Sequence, residues 1–255
     1  MSHHIVEVKD LHYTYPDGTS VLHGVSFRIG HGEAVAIVGA NGAGKSTLLL
    51  HLNGCLTPQK GAVRIGDFPL TRKTIEQVRR TVGMVFQDPD DQLFMPVVHD
   101  DVAFGPLNLG LPAEDVEERV ENALAIVGAS HLKDRPPYRL SGGEKRVVSI
   151  ATVLSMSPSI LVMDEPTANL DPRARRRLIE LLKTFDHTVI VATHDLDMVL
   201  DLCSRTIVLK DGRVLADGPS AELLGNEELL DSGALEKPLR LQGCPVCNGK
   251  AVHRQ

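Results

Sequence analysis

The fold follows from one nonapeptide, Gly39-Ala40-Asn41-Gly42-Ala43-Gly44-Lys45-Ser46-Thr47. It matches the phosphate-loop pattern G-x-x-x-x-G-K-[ST], whose glycines let backbone N–H groups wrap a phosphate. An apolar run at 34–38 precedes the loop and an apolar helix pattern follows it, which is the expected frame of strand, loop and helix. Four fixed positions match by chance in a chain this long with odds of about 1 in 100. We therefore expect Lys45 to reach the β- and γ-phosphates of a nucleotide and Ser46 to supply an oxygen to Mg²⁺.

Two adjacent carboxylates close a second apolar run, Ile160-Leu161-Val162-Met163-Asp164-Glu165. The four apolar residues predict a buried strand, and α/β sheets place ligands at the carboxyl ends of their strands. Asp164 suits Mg²⁺, through a water molecule, and Glu165 suits alignment and polarisation of an attacking water. The alternative is a buried strand that merely ends in polar residues. The phosphate loop in the same chain favours the functional interpretation.

Bulk composition narrows the classes of function. The 255 residues are 42% apolar and carry a formal net charge of −6. An acidic chain has no general attraction to phosphates of DNA or RNA, so we expect no nucleic-acid partner. No apolar run approaches the roughly 18 residues that span a bilayer, and the N-terminus lacks signal-peptide character. We therefore expect a cytosolic chain whose membrane contact comes only through partners.

The periodicity of the apolar residues indicates an α/β domain with a helical insertion. The first 40 residues alternate as strands do and short strands recur from about 61 to 87, whereas a region at about 88–158 is mostly helical, with its clearest helix after Pro112. Buried-strand patterns return afterwards, at 160–163, 188–192 and 206–209. We predict one nucleotide-binding domain over 5–242, containing this helical subdomain, and a C-terminal tail at 243–255.

Four further motifs resemble those of the ATP-binding cassette (ABC) ATPases. Leu140-Ser141-Gly142-Gly143-Glu144 is similar to their signature sequence, and Gln87, after an apolar strand, is similar to their Q-loop glutamine. Ala168-Asn169-Leu170-Asp171 resembles their D-loop, and His194 resembles their switch histidine. Order and separations match across residues 5 to 225. The resemblance implies ATP hydrolysis with ATP and Mg²⁺, on a P-loop NTPase core with an N-terminal antiparallel β-subdomain and an inserted α-helical signature subdomain.

The resemblance also implies that two subunits close around ATP. In these ATPases the signature of one subunit contacts the γ-phosphate held by the other subunit's phosphate loop, so ATP clamps the dimer and hydrolysis releases it. Ser141, Gly142, Gly143 and Glu144 would then bind the nucleotide of a second copy. From its residue type alone, Ser141 suits a helix N-cap, and a cap without any ligand is the alternative. Since Glu165 and a complete signature are both present, one chain can supply both sites of a homodimer.

The same resemblance implies roles for two single residues, Gln87 and His194. Gln87 would contact Mg²⁺ or the attacking water and sense the membrane partner. His194 would hydrogen-bond the γ-phosphate and help to hold Glu165. A solvated glutamine at a strand end and an ordinary structural histidine are the alternatives.

Two further positions leave a choice open. Asp171 would bridge across the dimer, or it is an ordinary helix N-cap before Pro172. Tyr15 resembles the aromatic residue that stacks on adenine, which suits the π-face of its ring. Tyr13 competes for this role, because strand alternation places both rings on one face.

The segment at 87–106 is similar to that of the energy-coupling-factor class of importers, which take up cobalt or nickel ions or vitamins. This likeness implies a transmembrane coupling subunit, whose helix docks on the surface formed by this segment, and substrate-binding membrane subunits. Apolar contacts with that helix are expected from Phe94, Val97, Val102 and Phe104. A solvated acidic loop over 88–101 is the alternative.

Within this class the chain most resembles the cobalt and nickel ATPases, whose cores end much as 208–213 does here. We expect the ATP-hydrolysing subunit of a metal-ion importer at the cytoplasmic face of the cell membrane. Two other functions stay open: the ATPase of a vitamin importer, and a cassette without a membrane partner that works in iron–sulfur assembly or on DNA. The long coiled coils of DNA-repair members do not interrupt 46–163.

The tail departs from the family pattern. It contains a C-x-x-C, Cys244 to Cys247, followed by His253. Such a pair is half of a zinc site, and a closed structural site needs four ligands. A tail with two free thiols and a metal-sensing tail are the two interpretations.

Overall fold

The computed structural model describes residues 6–242. Two sheets form its framework, and their strands are, in chain order, Val6–Thr14 (β1), Ser20–Ile29 (β2), Ala34–Val38 (β3), Lys60–Ile65 (β4), Phe68–Pro69 (β5), Val82–Val85 (β6), Ile160–Asp164 (β7), Thr188–Ala192 (β8), Arg205–Lys210 (β9) and Arg213–Pro219 (β10). The helices are Lys45–Leu52 (α1), Ile75–Thr81 (α2), Val98–Asn108 (α3), Ala113–Ile126 (α4), Gly142–Leu154 (α5), Pro172–Lys183 (α6), Leu196–Leu202 (α7), Ser220–Leu223 (α8) and Glu227–Ser232 (α9). The fold is therefore α/β, as predicted.

The smaller sheet is antiparallel, with strand order β2-β1-β4-β5. Alternating residues of β2, including Val25 and Phe27, are buried because one face of the sheet packs on the core. The ladder of β1 is interrupted near Asp10, whose φ is +44°. Opposite it, a Cβ atom at Gly61 would lie 2.2 Å from the Asp10 carbonyl oxygen, so only glycine fits there. The predicted N-terminal antiparallel subdomain is confirmed.

The larger sheet has strand order β10-β9-β3-β8-β7-β6 and is parallel except for its edge strand β10. Nearly every residue of β3, β7 and β8 is buried, since helices cover both faces of the sheet. The carboxyl ends of β3, β7 and β8 lie side by side, because these strands are adjacent and parallel. The phosphate loop, the carboxylates and His194 follow these three strand ends.

Helices α3, α4 and α5 pack on one another and have an apolar cluster of their own, which includes Val102, Val120, Leu124 and Val148. The expectation that Val102 lines a surface groove is wrong. Its side chain is fully buried in this cluster. Residues two positions apart lie on different faces of a helix, so α3 exposes Phe104 and turns Val102 toward α4 and α5.

Two other sequence predictions meet the structure differently. The run of short strands expected at about 61–87 is interrupted by α2, a seven-residue helix. The C-x-x-C tail, with Cys244, Cys247 and His253, lies outside the described residues. Within 6–242, no helix is both long and apolar enough to cross a bilayer.

Candidate nucleotide site

The phosphate loop joins β3 to α1 through tight backbone packing. Gly44, the residue before the first helical position, has φ +101°, and a Cβ atom there would lie 2.9 Å from the Leu22 side chain. A Cβ atom at Gly39 would lie 2.3 Å from the carbonyl oxygen of Leu209. Both glycines are therefore required by the close approach of other strands, and the helix N-terminus that follows is left open to an anion.

Lys45 is buried and points back over the loop. Its Nζ donates to the carbonyl oxygens of Gly39 and Ala40, at 2.8 and 3.2 Å, and lies 3.0 Å from Nε2 of His194. Burial lowers the pKa of Lys45, and the negative charges of Glu165 and Asp164 oppose that shift. A cation is thus held between the loop and the carboxylates, where a phosphate group would meet it.

Asp164 ends β7 and is 3% exposed. Burial raises its pKa, whereas a hydrogen bond from Ser46 and the charge of Lys45 act in the opposite direction. Asp164, Ser46 and Gln87 line one cavity of about 550 Å³. A carboxylate, a hydroxyl and an amide oxygen are the hard donors that Mg²⁺ prefers, so this donor set fits the ion.

Glu165 has a φ of +47°, a conformation that is uncommon for a residue with a side chain. Its Oε2 accepts from the Thr193 hydroxyl at 3.1 Å and from the His194 backbone N–H at 3.2 Å. Among the residues that the structure describes, its Oε1 is buried without a hydrogen bond, and it lies 3.5 Å from Nε2 of His194. One carboxylate oxygen is thus fixed and the other is left with an unused acceptor, which is the arrangement that a base for water requires.

Gln87 follows β6, and its side chain is exposed. Its backbone carbonyl accepts a hydrogen bond from Arg146, a residue of α5 that is 1% exposed and also donates to the carbonyl of Phe86 at 2.6 Å. Arg146 therefore ties the glutamine's backbone to the helix that begins at the signature. The sequence interpretation missed Arg146; its position five residues after a predicted N-cap gave no signal of the contact.

The signature forms the N-terminus of α5, as predicted. Ser141 and Glu144 make a reciprocal capping box: the Ser141 hydroxyl oxygen accepts from the Glu144 N–H, and the Glu144 carboxylate accepts from the Ser141 N–H at 2.8 Å. Gly142 and Gly143 lie against Asn169, at the start of the D-loop. Within residues 6–242, no hydrogen bond or ion pair joins the signature to the phosphate loop of the same chain.

Asp171 is the N-cap of α6. Its carboxylate accepts from the N–H groups of Arg173 and Ala174, at 2.7 and 3.0 Å, and Pro172 occupies the first helical position. The helix-cap interpretation is confirmed for this carboxylate. The bridge across a dimer stays a prediction.

Tyr13 and Tyr15 occupy different environments. Tyr13 belongs to β1 and is buried, with its ring edge-on to Tyr15 and to His51 at centroid distances of 5.1 and 4.8 Å. Tyr15 lies just beyond β1, is half-buried, and its hydroxyl is 3.1 Å from Oγ1 of Thr47. Tyr15 is therefore the ring beside the phosphate loop, and Tyr13 is the ring that supports it from the core.

Comparisons with known proteins agree with this geometry. The family model described as ABC transporter matches residues 22–168. A protein of Geobacter sulfurreducens, whose name describes an ABC transporter ATP-binding protein, is 69% identical over 97% of this chain and 99% of its own length. The energy-coupling factor transporter ATP-binding protein EcfA of Methanocaldococcus jannaschii is 48% identical, over 92% of this chain and 86% of its own.

Solved structures give the same result. CbiO1 from Clostridium perfringens, described as part of the ABC transporter complex cbiONQ, is 43% identical with a TM-score of 0.78, over 90% of this chain and 94% of that one. A dimeric ATP-binding cassette bound to ADP and Pi in a post-hydrolysis state is 29% identical with a TM-score of 0.77, over 84% and 98%. The chain therefore belongs to the ABC transporter family and is one of its ATP-hydrolysing cassettes, of the energy-coupling-factor class.

Proposed function

We propose that two copies of this chain enclose two ATP molecules and that hydrolysis, directed by Glu165, separates them to drive import of divalent transition-metal ions, cobalt or nickel. The observation that carries the proposal is the buried Oε1 atom of Glu165, which has no hydrogen-bond partner within 6–242 and lies 3.5 Å from Nε2 of His194. A buried acceptor without a partner is costly, and an attacking water would satisfy it.

Each residue near the phosphate loop has a part in this proposal. Lys45 and the loop backbone bind the phosphates, and Tyr15 stacks on adenine. Ser46, Asp164 and Gln87 would hold Mg²⁺, which supplies positive charge to the phosphate oxygens. His194 contacts the γ-phosphate from the loop after β8. Binding, orientation and charge thus come from five separate segments: four at the ends of strands of the parallel sheet, and Tyr15 after β1 of the antiparallel sheet.

The other half of the site comes from the second copy. The signature N-terminus, Ser141 to Glu144, is a helix end suited to an anion, and among the described residues it makes no hydrogen bond or ion pair with its own phosphate loop. A second copy that places its signature over this loop would complete the site. Asp171, which caps α6 in the single chain, would lie at the seam between the copies.

Contact with a membrane subunit is proposed for the surface that follows Gln87. Phe94 and Phe104 are exposed there, 62% and 40%, and their rings meet edge-on at 5.0 Å. They border a groove of about 630 Å³. Exposed aromatic rings beside a groove are typical of a docking site for a helix, and such docking would hold the chain peripherally at the cytoplasmic face of the membrane.

The cargo is inferred from likeness, because the ATPase does not touch it. The resemblance of 208–213 to the end of the core in the cobalt and nickel ATPases supports metal ions. The names of the EcfA relatives state no cargo, so a vitamin importer of the same class is the second candidate. Transport assays of the complex isolated from native membranes, with cobalt, nickel and vitamins as competing cargoes, distinguish the two.

Dimer closure is tested with Glu165→Gln. We expect this variant to bind ATP, to hydrolyse it at least ~100-fold more slowly, and to elute as a dimer with ATP and magnesium. Glu180→Gln is the matched control, since Glu180 is an exposed glutamate of α6 that pairs with Lys183 at 3.0 Å. Normal hydrolysis by Glu165→Gln would remove Glu165 from the proposal, and a variant that stays monomeric with ATP would remove the dimer.

A further inference from the structure

Thr193 directly precedes His194, and its side chain contacts the segment that carries Glu165. It directly follows β8, is 0% exposed, and its backbone N–H donates to the Ile37 carbonyl at 3.3 Å. Its hydroxyl oxygen is 3.0 Å from the backbone nitrogen of Asp195 and 3.1 Å from Oε2 of Glu165. A buried hydroxyl with two such neighbours has only one way to satisfy both.

The direction of these hydrogen bonds follows from the donors available. The Asp195 N–H can only donate, so the Thr193 oxygen accepts from it. The single hydroxyl hydrogen of Thr193 then points to Glu165, whose ionised carboxylate can only accept. Together with the N–H of His194, this hydroxyl gives Oε2 of Glu165 two donors. The other oxygen, Oε1, is left for a reactant.

Asp195 is itself held rigidly, so the donor to Thr193 has a fixed position. Its carboxylate makes a two-point contact with Arg175, from Nε at 2.6 Å and from Nη2 at 2.8 Å. It also accepts from the Thr167 hydroxyl at 3.2 Å and from the Met198 N–H at 2.9 Å, where it caps α7. Bidentate arginine–carboxylate pairs fix orientation as well as distance.

These contacts close a ring around the strained residue. Thr167 follows Glu165 by two residues, and its hydroxyl donates to the Asp195 carboxylate. The Asp195 N–H donates to the Thr193 hydroxyl oxygen, and the Thr193 hydroxyl donates to the Glu165 carboxylate. Glu165 needs such support because its positive φ is unfavourable for a residue with a side chain.

We propose that Thr193 is a positioning residue for ATP hydrolysis: its hydroxyl, oriented by Asp195, fixes the Glu165 carboxylate so that Oε1 faces the attacking water. This inference rests on the role proposed for Glu165. Without the hydroxyl, Oε2 keeps only the donor from His194 and the carboxylate can rotate. A misplaced base slows the chemical step and leaves nucleotide binding almost unchanged.

Thr206 provides a matched control for burial and chemistry. It is also 0% exposed, lies on β9, which β3 separates from β8, and its hydroxyl is 2.7 Å from Oγ of Ser220. Removing this hydroxyl leaves a similar unsatisfied partner in the core, far from the carboxylates. A general effect of losing a buried hydroxyl, such as a lower melting temperature, should therefore appear at both positions, whereas slower hydrolysis should appear only at Thr193.

The test compares steady-state ATP hydrolysis by full-length Thr193→Val, Thr193→Ser and Thr206→Val. We expect kcat of Thr193→Val to fall about 10- to 100-fold with KM for ATP within about twofold of the parent. Thr193→Ser keeps the hydroxyl and should recover most of kcat. Thr206→Val should lower the melting temperature as Thr193→Val does and leave kcat unchanged.

Three outcomes would overturn the inference: unchanged kcat in Thr193→Val, an equal loss of kcat in Thr206→Val, or no recovery in Thr193→Ser. Glu165→Gln, measured alongside, separates these results from failure of the proposed function. A slow Glu165→Gln with a fast Thr193→Val rejects only the positioning role, whereas a fast Glu165→Gln rejects the role of Glu165 itself. Should Thr193→Val not fold, Thr193→Cys replaces the hydroxyl by a thiol, a weak donor, and should lower kcat where Thr193→Ser does not; equal kcat in these two variants would overturn the inference.

Discussion

Nζ of Lys45 lies 3.0 Å from Nε2 of His194, and this contact joins the phosphate loop to the segment after β8. A protonated lysine has donors only, so Nε2 must accept and the ring proton of a neutral His194 belongs on Nδ1. The 3.5 Å approach of the same Nε2 to Glu165 is then not an ion pair. A phosphate bound by Lys45 would compete with His194 for the lysine's protons, so nucleotide binding changes the hydrogen bonding of His194.

The first prediction concerns His194→Ala. We expect ATP binding to be retained, since the loop backbone and Lys45 still hold the phosphates, and hydrolysis to fall on the order of 100-fold because the γ-phosphate loses a contact made during cleavage. Binding of a fluorescent ATP analogue and phosphate release measure the two effects separately. His187→Ala is the control: His187 is exposed, precedes β8 at the other end of the strand, and packs beside Phe185. Equal losses in both variants would contradict the prediction.

The parts of the site that the sequence predicted are those encoded by local rules. The phosphate loop needs glycines at fixed positions, and the signature helix needs a capping residue before it; both are readable within a few residues. The carboxyl ends of the apolar strands could also be located from the sequence, because each lies where an apolar run stops. The parallel sheet then brings these ends together, which is why the residues after β3, β7 and β8 share one edge.

Contacts between distant segments were not predictable. Arg175 and Asp195 are 20 residues apart on different elements, and Arg146 reaches the backbone of Gln87 across 59 residues. Nothing in the residue types indicates these pairs, because the rotation of each helix about its axis selects them. The same reason explains the error at Val102: an apolar residue in a helix faces either the core or a groove, and only the packing of α3 decides.

The second prediction compares two arginine–aspartate pairs of the same chemistry. Arg175 with Asp195 and Arg205 with Asp217 are both bidentate and have similar partial exposure. Replacing either arginine by glutamine should cost about 1 kcal/mol of folding free energy. Only Arg175→Gln should also lower kcat, by about tenfold, because only Asp195 orients Thr193.

Chemical denaturation and steady-state hydrolysis, measured on both variants, give the two quantities. Arg175→Lys should restore little, since a lysine cannot make the two-point contact. Loss of kcat in Arg205→Gln as large as in Arg175→Gln would mean that destabilisation alone explains the effect.

The third prediction concerns the signature. Ser141→Ala removes half of the capping box and should cost about 1 kcal/mol of stability. Asn226→Ala removes the N-cap of α9, a side chain that accepts from the Leu229 N–H at 3.1 Å, and should cost a similar amount without affecting hydrolysis.

Ser141→Arg should impair hydrolysis by the dimer while the isolated subunit still binds ATP. Loss of ATP binding in monomeric Ser141→Arg would contradict a signature that acts on the other copy.

The fourth prediction is a pH dependence of stability that depends on His99. This residue lies in the first turn of α3, with Nδ1 3.0 Å from Asp100 and Nε2 2.9 Å from Glu117 of α4. The hydrogen bond to Asp100, followed by that to Glu117, raises the pKa of His99 above its ordinary value, and partial burial opposes the shift. Lys133, the third charged group of the cluster, binds Glu117 and Glu121 from the segment after α4.

A histidine whose pKa is higher in the folded than in the unfolded chain stabilises the fold fully below its unfolded pKa, and this contribution is lost as the pH rises through its folded pKa. The melting temperature should therefore decline as the pH rises above about 6.5, the ordinary pKa of histidine. The decline reflects the loss of at most about 1 kcal/mol of folding free energy. His99→Gln should flatten this part of the curve, whereas His187→Gln, at an exposed site beside Phe185, should leave it unchanged. Thermal unfolding from pH 5.5 to 8.5 measures the slopes, and parallel curves for the parent and His99→Gln would exclude His99 as the source.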